Sequence, residues 1–284
     1  MSPEKVVDLQ NWVGRTRDVE DIVTPRLVES LSATLAPHAA KPGDAAAPLG
    51  LHWCLAPDIA DAGELEPDGH PAKGGFLPPV PLPRRMWAAS DVTFKGSIAL
   101  GQSIRRHSTI RKIEEKQGRT GSLVFVTVHH TFSAAGSPII EEDQTIVYRE
   151  AADAGDGSRA AAPAFAVLPP APHQQAVDVD AVLLFRYSAL TFNGHRIHYD
   201  APYATEVEHY PGLVIHGPLQ ATLLLNYAAL IAGRAPERFS FRGISPATGP
   251  QRLHLRATPR PDTSLELDVA DADYQITMRA SAQW

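Results

Sequence analysis

Residues 210–232, YPGLVIHGPLQATLLLNYAALIA, form the stretch that decides the fold. Proline is favoured in the first turn of a helix, where its missing N–H is not needed, so the sequence predicts a helix beginning near Pro218. The residues that follow are apolar on every side, which is the pattern of a helix buried in a core. Gly233 gives this helix a stop, because glycine readily adopts the left-handed conformation that ends helices. We therefore expect a buried helix whose N-terminal end, at His216-Gly217, presents free backbone N–H groups.

The preceding stretch, residues 185–200, reads FRYSALTFNGHRIHYD and is dense in polar groups. We predict a strand over residues 181–190 that runs into a polar loop. The polar side chains of this stretch are Arg186, Ser188, Thr191, Asn193, His195, Arg196, His198, Tyr199 and Asp200. A polar loop followed by the N-terminus of a buried helix indicates an active site that the helix amides would cap.

Two motifs in these stretches resemble those of a known family. His198-Tyr199-Asp200 matches a His-x-Asp motif, and residues 212–217, GLVIHG, match a later glycine-rich segment that starts a central helix. Both are similar to motifs of the hot-dog-fold hydratases and dehydratases of acyl thioesters, the MaoC-like group. The variant SALTFN-x-H-x-I-H-x-D most resembles the type 2 hydroxyacyl-thioester dehydratases, a branch that includes the hydratases of mesaconyl-C4-CoA and itaconyl-CoA. The resemblance is strong over residues 185–232 and looser over most of the chain.

The resemblance implies a fold, a reaction and a substrate class. The implied fold is α+β, a tandem (double) hot-dog in which antiparallel sheets wrap around a central helix in each half. The implied protein is a hydro-lyase that reversibly hydrates an enoyl-CoA thioester, with a C5 dicarboxylic acyl-CoA as the expected substrate and citramalyl-CoA as the product. The alternatives are a short- or medium-chain 3-hydroxyacyl-thioester dehydratase, an acyl-CoA thioesterase, and a thioester-binding module without activity.

The resemblance also suggests roles for individual residues. Hydration needs a group that moves protons, and His198 is the predicted one because histidine titrates nearest neutral pH; the alternative is a structural hydrogen bond. The Gly217 amide is the expected donor to the enolate oxygen. The family's usual aspartate, five residues before the histidine, is Asn193 here, which cannot accept a proton and is expected to hold the water. Either His198 carries out both proton transfers, which we favour, or Asp200 or another carboxylate shares the role.

Other polar residues near the motifs are expected to bind the substrate. Arg186 and Arg196 are either surface charges or partners for a substrate carboxylate, for which the planar guanidinium fork is well suited. Arg84 and Arg85 follow an apolar, proline-rich loop and are candidates to grip the CoA phosphates. The full set of expected substrate-binding residues is Arg84, Arg85, Trp87, Arg186, His195, Arg196 and His216.

The composition limits which kinds of partner the chain is expected to have. The chain has 284 residues and a formal net charge of −6, which argues against broad nucleic-acid binding. The sequence contains neither an apolar run of membrane length nor a signal-peptide pattern, so we expect a cytoplasmic protein without a membrane partner. The single Cys54 leaves no internal disulfide. The spacing of His195, His198 and His216 fits no usual zinc pattern, so we predict no metal or other cofactor. A homodimer is compatible with the sequence.

The order of elements predicts two domains, at about 150 residues for each. Residues 1–150 are expected to form an N-terminal hot-dog domain that shapes the tunnel for the substrate and CoA. Residues 151–173 are rich in Ala, Pro and Gly and are predicted to be a linker. Residues 174–284 are expected to form a C-terminal hot-dog domain that carries the catalytic residues.

Within this plan, residues 1–35 are predicted to be helical pieces, with one helix over Pro25–Leu35 capped by Thr24. Residues 49–55 are predicted to be a short strand. Residues 57–86 show no periodicity, and a loop of this length is usually functional or disordered. The remaining predicted strands cover residues 88–94, 102–114, 122–133, 139–148, 238–244, 251–259, 264–269 and 274–282, with a hairpin turn at residues 116–121.

Overall fold

A computed structural model of the protein describes residues 8–40, 46–118, 121–150 and 167–284. The strands are Thr16–Ile22 (β1), Arg84–Phe94 (β2), Ser103–Gly118 (β3), Gly121–Ala134 (β4), Ser137–Arg149 (β5), His173–Val179 (β6), Leu213–Val214 (β7), Arg238–Gly243 (β8), Thr248–Gly249 (β9), Gln251–Pro259 (β10), Leu265–Ala270 (β11) and Ile276–Gln283 (β12). The α-helices are Pro25–Leu35 (α1), Ala181–Thr191 (α2) and Gly217–Ala232 (α3). Short 3-10 helices cover Leu9–Trp12, Leu51–Cys54, Ala62–Glu64 and Arg196–His198, and a π-helical turn covers Tyr203–Val207. Among these residues, no helix combines the length and the apolar character that crossing a bilayer requires.

Ten strands form one antiparallel sheet in the order β1-β3-β4-β5-β2-β8-β12-β11-β10-β6. The first five strands of this order come from the chain before residue 150, and the last five come from the chain after residue 172. The two groups meet where β2 pairs with β8, from Ala89 opposite Arg242 to Thr93 opposite Arg238. The two halves of the chain therefore share backbone hydrogen bonds in a single sheet.

The helix α3 confirms the predicted buried helix. It begins at Gly217 and ends before Gly233, whose φ of 72° lies in the left-handed region. Every residue from 219 to 229 is buried, because the helix packs against β10, β11 and β12 and also contacts β8 and β2. Its buried Asn226 is satisfied, since its side-chain oxygen accepts a hydrogen bond from the Ala40 amide at 2.9 Å. The helix is thus enclosed by both the sheet and a loop of the first half.

The helix α1 is confirmed with the predicted cap. The Thr24 hydroxyl accepts a hydrogen bond from the Leu27 amide at 3.2 Å and satisfies a free N–H group of the first turn. The buried residues Leu27, Leu31 and Leu35 are four positions apart, so they form one apolar stripe. This helix packs against α2.

Apart from the segment 181–190, the strands predicted after residue 87 are all present, with shifted ends. β2 begins at Arg84, four residues before the predicted start at residue 88, and β3 extends to Gly118. Gly118 and Gly121 form the last pair of the β3–β4 hairpin, and residues 119 and 120 of the predicted turn lie outside the described residues. Most of the predicted linker, residues 151–166, also lies outside them, and its last residue, His173, begins β6.

The predicted strand over residues 181–190 is wrong, because this segment is the helix α2. The Asp180 carboxylate accepts a hydrogen bond from the Leu183 amide at 2.8 Å and caps the first turn. The buried residues of α2 are Leu184, Tyr187 and Ser188. Their spacing of three and four positions is that of one helix face, whereas a strand would alternate. The run of large apolar residues is compatible with both a strand and a helix, so the sequence pattern alone does not distinguish them.

Two further predictions for the first half are wrong. Residues 1–35 are not all helical, since Thr16–Ile22 is a strand that alternates between exposed and half-buried residues and pairs with β3. The predicted strand at residues 49–55 is a buried 3-10 helix, Leu51–Cys54. Gly50 precedes it with a φ of 91°, a conformation that a strand does not accommodate.

A loop of the first half docks onto the segment that follows α2. The Asp68 carbonyl accepts a hydrogen bond from the Arg196 amide at 2.9 Å. Gly69 has a φ of 89°, and a Cβ built on it would overlap the carbonyl oxygen of Gly194. Close approach of the two backbones therefore requires glycine at position 69.

We expect Gly69→Ala to lower the free energy of unfolding more than Gly74→Ala, as measured by urea denaturation. Gly74 also has a positive φ, of 94°, but a Cβ there would make only an ordinary contact with Pro79 at 3.6 Å. The control thus carries the backbone strain of about 1–2 kcal/mol without the overlap. Equal destabilisation of the two variants would contradict the proposed close packing against Gly194.

Candidate active site

A cavity of about 1290 Å³ lies where the N-terminal end of α3, the start of β2 and the loop before β2 meet. Its walls come from both sides of the β2–β8 junction. The residues that were predicted for the site and that line the cavity are Arg84, Arg85, Trp87, Asn193, His195, His198 and Gly217. The predicted residues that do not line it are Arg186, Arg196 and His216.

His198 is held by the backbone. It is the last residue of the 3-10 helix Arg196–His198 and is 7% exposed. Its Nδ1 atom lies 2.7 Å from the carbonyl oxygen of Val214 in β7. A carbonyl can only accept, so Nδ1 carries the proton and Nε2 carries a lone pair in the neutral ring. Burial lowers the pKa of His198 to about 4, although the hydrogen bond to Val214 opposes the shift. The ring is therefore a neutral base at neutral pH.

His216 packs behind His198 instead of facing the cavity, which corrects its predicted role in substrate binding. The two rings are stacked, with centroids 3.6 Å apart and an angle of 17° between their planes. The His216 Nε2 atom lies 2.8 Å from the Ser188 hydroxyl on α2. Burial lowers the pKa of His216 well below its ordinary value, so this ring is neutral. The His216 ring therefore covers one face of the His198 ring, and its contact with Ser188 links the two rings to α2.

Gly217 is the first residue of α3, where backbone N–H groups have no partner within the helix. Pro218 follows and has no N–H, which leaves the Gly217 amide as the leading donor. A Cβ at Gly217 would lie 3.8 Å from the Trp87 carbonyl oxygen, an ordinary contact. Glycine at this position therefore keeps the cavity floor open rather than relieving a clash. The positive end of the helix dipole lies at the same place.

Asn193 closes the turn after α2. Its backbone amide donates to the Ser188 carbonyl at 2.9 Å, and its side-chain oxygen accepts from the His195 amide at 3.0 Å. The side-chain oxygen is thus used by the turn. The amide nitrogen of the side chain is the atom that remains for a ligand in the cavity.

The predicted substrate contacts of Arg186 and Arg196 do not agree with their positions. Arg186 is exposed on α2, outside the cavity, because residues 181–190 form a helix and not a strand. Arg196 donates from Nε and Nη2 to Asp200 at 3.0 and 2.8 Å, and from Nη1 to the Pro67 carbonyl at 3.0 Å. Asp200 also accepts from the Tyr203 amide at 3.1 Å. This Arg196–Asp200 pair braces the turn and leaves neither charge free for a ligand.

Asp68 and His70 reach the cavity from the loop before β2, and sequence reasoning missed both. The His70 Nδ1 atom lies 2.8 Å from the Asp68 carboxylate, and the His70 ring centroid lies 4.1 Å from that of His195. The His195 ring in turn contacts His198 edge-on at 5.5 Å. Burial alone would raise the pKa of Asp68, but the hydrogen bonds and charge of His70 hold it below its usual range. The one signal in the sequence was the length of the aperiodic loop.

Asp68, His70 and His195 are also the described residues whose donor atoms could hold a metal ion, since these atoms lie within 4.8 Å of one another. The His70 Nδ1 atom is already hydrogen-bonded to Asp68, and the three side chains pack together through this bond and the ring contact. Burial is the main cause that lowers the pKa values of His70 and His195. The hydrogen bond of this cluster joins Asp68 and His70, and the Nε2 atom of His195 lies 4.0 Å from the same carboxylate.

The two arginines at the start of β2 differ in their partners. Arg84 makes an ion pair with Glu208 at 2.8 Å and lies over the Tyr210 ring at 5.6 Å. Arg85 donates to the Pro71 carbonyl at 3.3 Å and has no carboxylate within 4.0 Å among the described residues. Both line the cavity, but only the charge of Arg84 is neutralised by a neighbour.

Trp87 forms an apolar wall of the cavity. Its ring Nε1 donates to Ser90 Oγ at 2.9 Å, so the polar atom is satisfied inside the protein. Its ring contacts Trp53 edge-on, with centroids 5.7 Å apart, and is tilted against Phe241 at 5.9 Å. The tryptophan therefore offers a fixed apolar surface to a ligand.

Another part of the cavity wall comes from β3 and β4. Arg106 lies there with only 15% of its side chain exposed and pairs with Asp58 at 2.7 Å, and Arg17 pairs with the same carboxylate at 3.2 Å. Ser108 and His130 hydrogen-bond to each other at 2.8 Å. These polar groups belong to the first half and extend the cavity away from His198.

Comparisons with known proteins identify the family. Residues 50–249 match the family described as hydroxyacyl-thioester dehydratase type 2. The chain is 41% identical to mesaconyl-C(4)-CoA hydratase of Chloroflexus aurantiacus over 279 residues, which cover 97% of this chain and 98% of that protein. Both matches include the segment with His198 and Gly217.

Solved structures agree on the fold. A MaoC-like dehydratase from Phytophthora capsici superposes with a TM-score of 0.69 at 11% identity and covers 98% of both chains. A Mycobacterium tuberculosis protein with a double hot-dog fold superposes with a TM-score of 0.56 at 13% identity, covering 95% of this chain and 96% of that one. The fold is thus the expected α+β double hot-dog. The chain belongs to the type 2 hydroxyacyl-thioester dehydratase family and is a hydro-lyase.

Proposed function

We propose that the protein reversibly adds water to the double bond of an enoyl-CoA thioester. The observation that carries the proposal is that His198 and the amide end of α3 line one cavity. The Nδ1 bond of His198 to Val214 leaves Nε2 free as a base. A base and an oxyanion donor in one cavity are what the addition of water to a conjugated thioester needs.

In this proposal His198 moves the proton. Its Nε2 atom removes a proton from a water molecule while the water oxygen bonds to the β-carbon of the ester. The electrons of the double bond move toward the thioester carbonyl and leave an enolate. The imidazolium then gives its proton to the α-carbon, so His198 ends neutral and one water has been added.

The enolate oxygen would accept a hydrogen bond from the Gly217 amide, where the helix dipole also favours negative charge. Asn193 would hold the water through its side-chain nitrogen, since its oxygen already accepts from His195. Asp200 is engaged by Arg196 and lies outside the cavity lining, which favours His198 for both proton transfers. Both transfers from one ring lead to addition on one face of the double bond.

For the substrate we propose a C5 dicarboxylic acyl-CoA, mesaconyl-C4-CoA or itaconyl-CoA, with citramalyl-CoA as the product. The extensive similarity to a mesaconyl-C(4)-CoA hydratase supports this choice. The step above applies to mesaconyl-C4-CoA, whose double bond is conjugated to the thioester; with itaconyl-CoA the proton would go to the terminal methylene carbon instead. We also propose that residues 1–150 shape the tunnel for the acyl chain and pantetheine, that residues 151–173 link the halves, and that residues 174–284 carry the catalytic groups. Asp68 and His70 also belong to the first half, and the His70 ring contacts His195, which in turn contacts His198. The first half would therefore also supply groups close to the proposed base.

The substrate class is tested by hydration assays with mesaconyl-C4-CoA, itaconyl-CoA and crotonyl-CoA. We expect kcat/KM for a dicarboxylic ester to exceed that for crotonyl-CoA by about tenfold or more, because a site built to bind a substrate carboxylate discriminates against esters without one. Rapid turnover of crotonyl-CoA alone would overturn the C5 assignment and favour a short-chain dehydratase. Release of free CoA without hydration would favour a thioesterase.

The base is tested with His198→Asn, which keeps a polar side chain near Val214 but cannot accept a proton. We expect kcat to fall by about 10²–10⁴-fold, the usual contribution of a positioned acid–base group. His209→Asn is the matched control, because His209 is exposed and does not line the cavity, and it should retain wild-type turnover. The assignment is wrong if His198→Asn keeps most of its activity while its circular dichroism remains that of the wild type.

The pH dependence follows from the depressed pKa of His198, about 4. The neutral ring is the active form of the base, so it is present above this pKa and is lost as the pH falls through it. We expect kcat/KM for crotonyl-CoA, which has no titrating carboxylate, to stay level from neutral pH down to about 5.5. Circular dichroism at each pH separates acid unfolding from titration. A loss of activity centred near 6.5 in folded protein would contradict this prediction.

A further inference from the structure

The cationic side chains that line the cavity differ in whether a carboxylate pairs with them. Arg17 and Arg106 share Asp58, and Arg84 pairs with Glu208. Over the described ranges, the lining cations for which no carboxylate lies within 4.0 Å are Lys73, Arg85 and Arg149. An anionic ligand that enters this cavity therefore meets positive charge that the protein itself does not neutralise.

Of these cations, Arg85 is the one hydrogen-bonded to the residue that follows His70. Its Nη2 atom donates to the carbonyl of Pro71, the residue after His70. The His70 ring contacts the His195 ring at 4.1 Å, and the His195 ring contacts His198 at 5.5 Å. After burial, which is the largest cause, the positive charge of Arg85 helps to lower the pKa values of His70 and His195.

The guanidinium of Arg85 has only neutral partners among the described residues. It has five N–H donors, of which one donates to the Pro71 carbonyl at 3.3 Å, and it lies close to the Tyr148 hydroxyl. The residue is half-buried, so its charge is only partly hydrated. A charge in such a position is stabilised by an anion, and a carboxylate matches the guanidinium fork with two parallel hydrogen bonds.

The ligand offers two kinds of anion, and their chemistry separates them. In mesaconyl-C4-CoA the free carboxylate is bonded directly to the β-carbon, which is the carbon that water attacks. A group that binds this carboxylate must therefore lie near the base. Arg85 lines the same cavity as His198, and its charge acts on His70 and His195, whose rings lead to His198 through two successive contacts. The CoA phosphates are separated from the thioester by the pantetheine arm and need cations farther from His198.

We propose that Arg85 binds the free carboxylate of a β-carboxylated enoyl-CoA and makes the site selective for dicarboxylic acyl groups. The inference rests on the proposed hydratase function and adds the residue that recognises the acyl group. Pairing also offsets the negative charge of the carboxylate, which would otherwise repel electron density arriving at the β-carbon. Arg85 is then both a substrate anchor and an electrostatic aid to the addition.

The experiment compares wild type, Arg85→Gln, Arg85→Lys and Arg106→Gln on mesaconyl-C4-CoA and crotonyl-CoA. We expect Arg85→Gln to lower kcat/KM for mesaconyl-C4-CoA by roughly 10- to 100-fold, the effect of losing a hydrogen-bonded charge pair. Turnover of crotonyl-CoA, which carries no carboxylate, should change by less than about threefold. Arg85→Lys should recover part of the loss, since lysine keeps the charge but not the fork.

Arg106→Gln is the matched control, because Arg106 also lines the cavity but is already paired with Asp58. It should affect the two esters to a similar extent. Inhibition by free CoA provides the second readout and should be the same for wild type and Arg85→Gln. Weaker inhibition by CoA in Arg85→Gln, with equal losses on both esters, would assign Arg85 to a phosphate and overturn the inference.

Further outcomes separate this inference from the proposed function. A wild type that hydrates mesaconyl-C4-CoA while Arg85→Gln loses both activities equally would overturn only the role of Arg85. Selectivity that is lost in Arg106→Gln and kept in Arg85→Gln would also overturn it, in favour of Arg106. A wild type without turnover of either ester would overturn the hydratase proposal and this inference with it. Thermal melts of each variant show whether a loss of both activities is a loss of fold.

Discussion

The burial of α3 is the constraint on which the rest of the structure depends. A helix with apolar residues on every side cannot face water, so strands β10 to β12 and the loops of the first half must enclose it. Enclosure covers the sides of the helix and leaves its polar N-terminal end, at Gly217, open to the cavity. The same packing that stabilises the core therefore delivers free backbone N–H groups to the site.

The imidazole of His198, the proposed base, is positioned without a charged partner. The Val214 carbonyl fixes the tautomer of His198, and the His216 ring covers one of its faces. Burial then sets its proton affinity, which explains why the ring is neutral and available as a base. The Asp68 carboxylate is hydrogen-bonded to His70 and lies 4.0 Å from the Nε2 atom of His195, the ring that contacts His198. Burial is the largest cause of the low pKa of His198, and the charge of His70 makes a smaller contribution in the same direction.

The sequence predicts best those features that depend on residues close together in the chain. The apolar run after Pro218 and the His198 motif are contiguous patterns. The first is confirmed as the buried helix α3, and the second brings His198 to the cavity, where its role as the base stays a prediction. The segment 181–190 was misjudged because its apolar residues satisfy a strand as well as a helix, and only tertiary packing distinguishes the two. Arg196 has the chemistry of a ligand contact but turns toward Asp200. Asp68 reaches His195 from more than a hundred residues away, through a glycine contact that leaves no periodic signal.

The pairing of β2 with β8 has a consequence for how the chain can be divided. An isolated half would end in a bare strand whose unsatisfied N–H and C=O groups form a template for other chains. Each half has its own set of strands, but separation would expose an edge that the intact sheet covers. Co-expressed fragments would have to find each other through these five residue pairs before aggregation intervenes. Covalent continuity raises the effective concentration of one edge for the other and suppresses that competition.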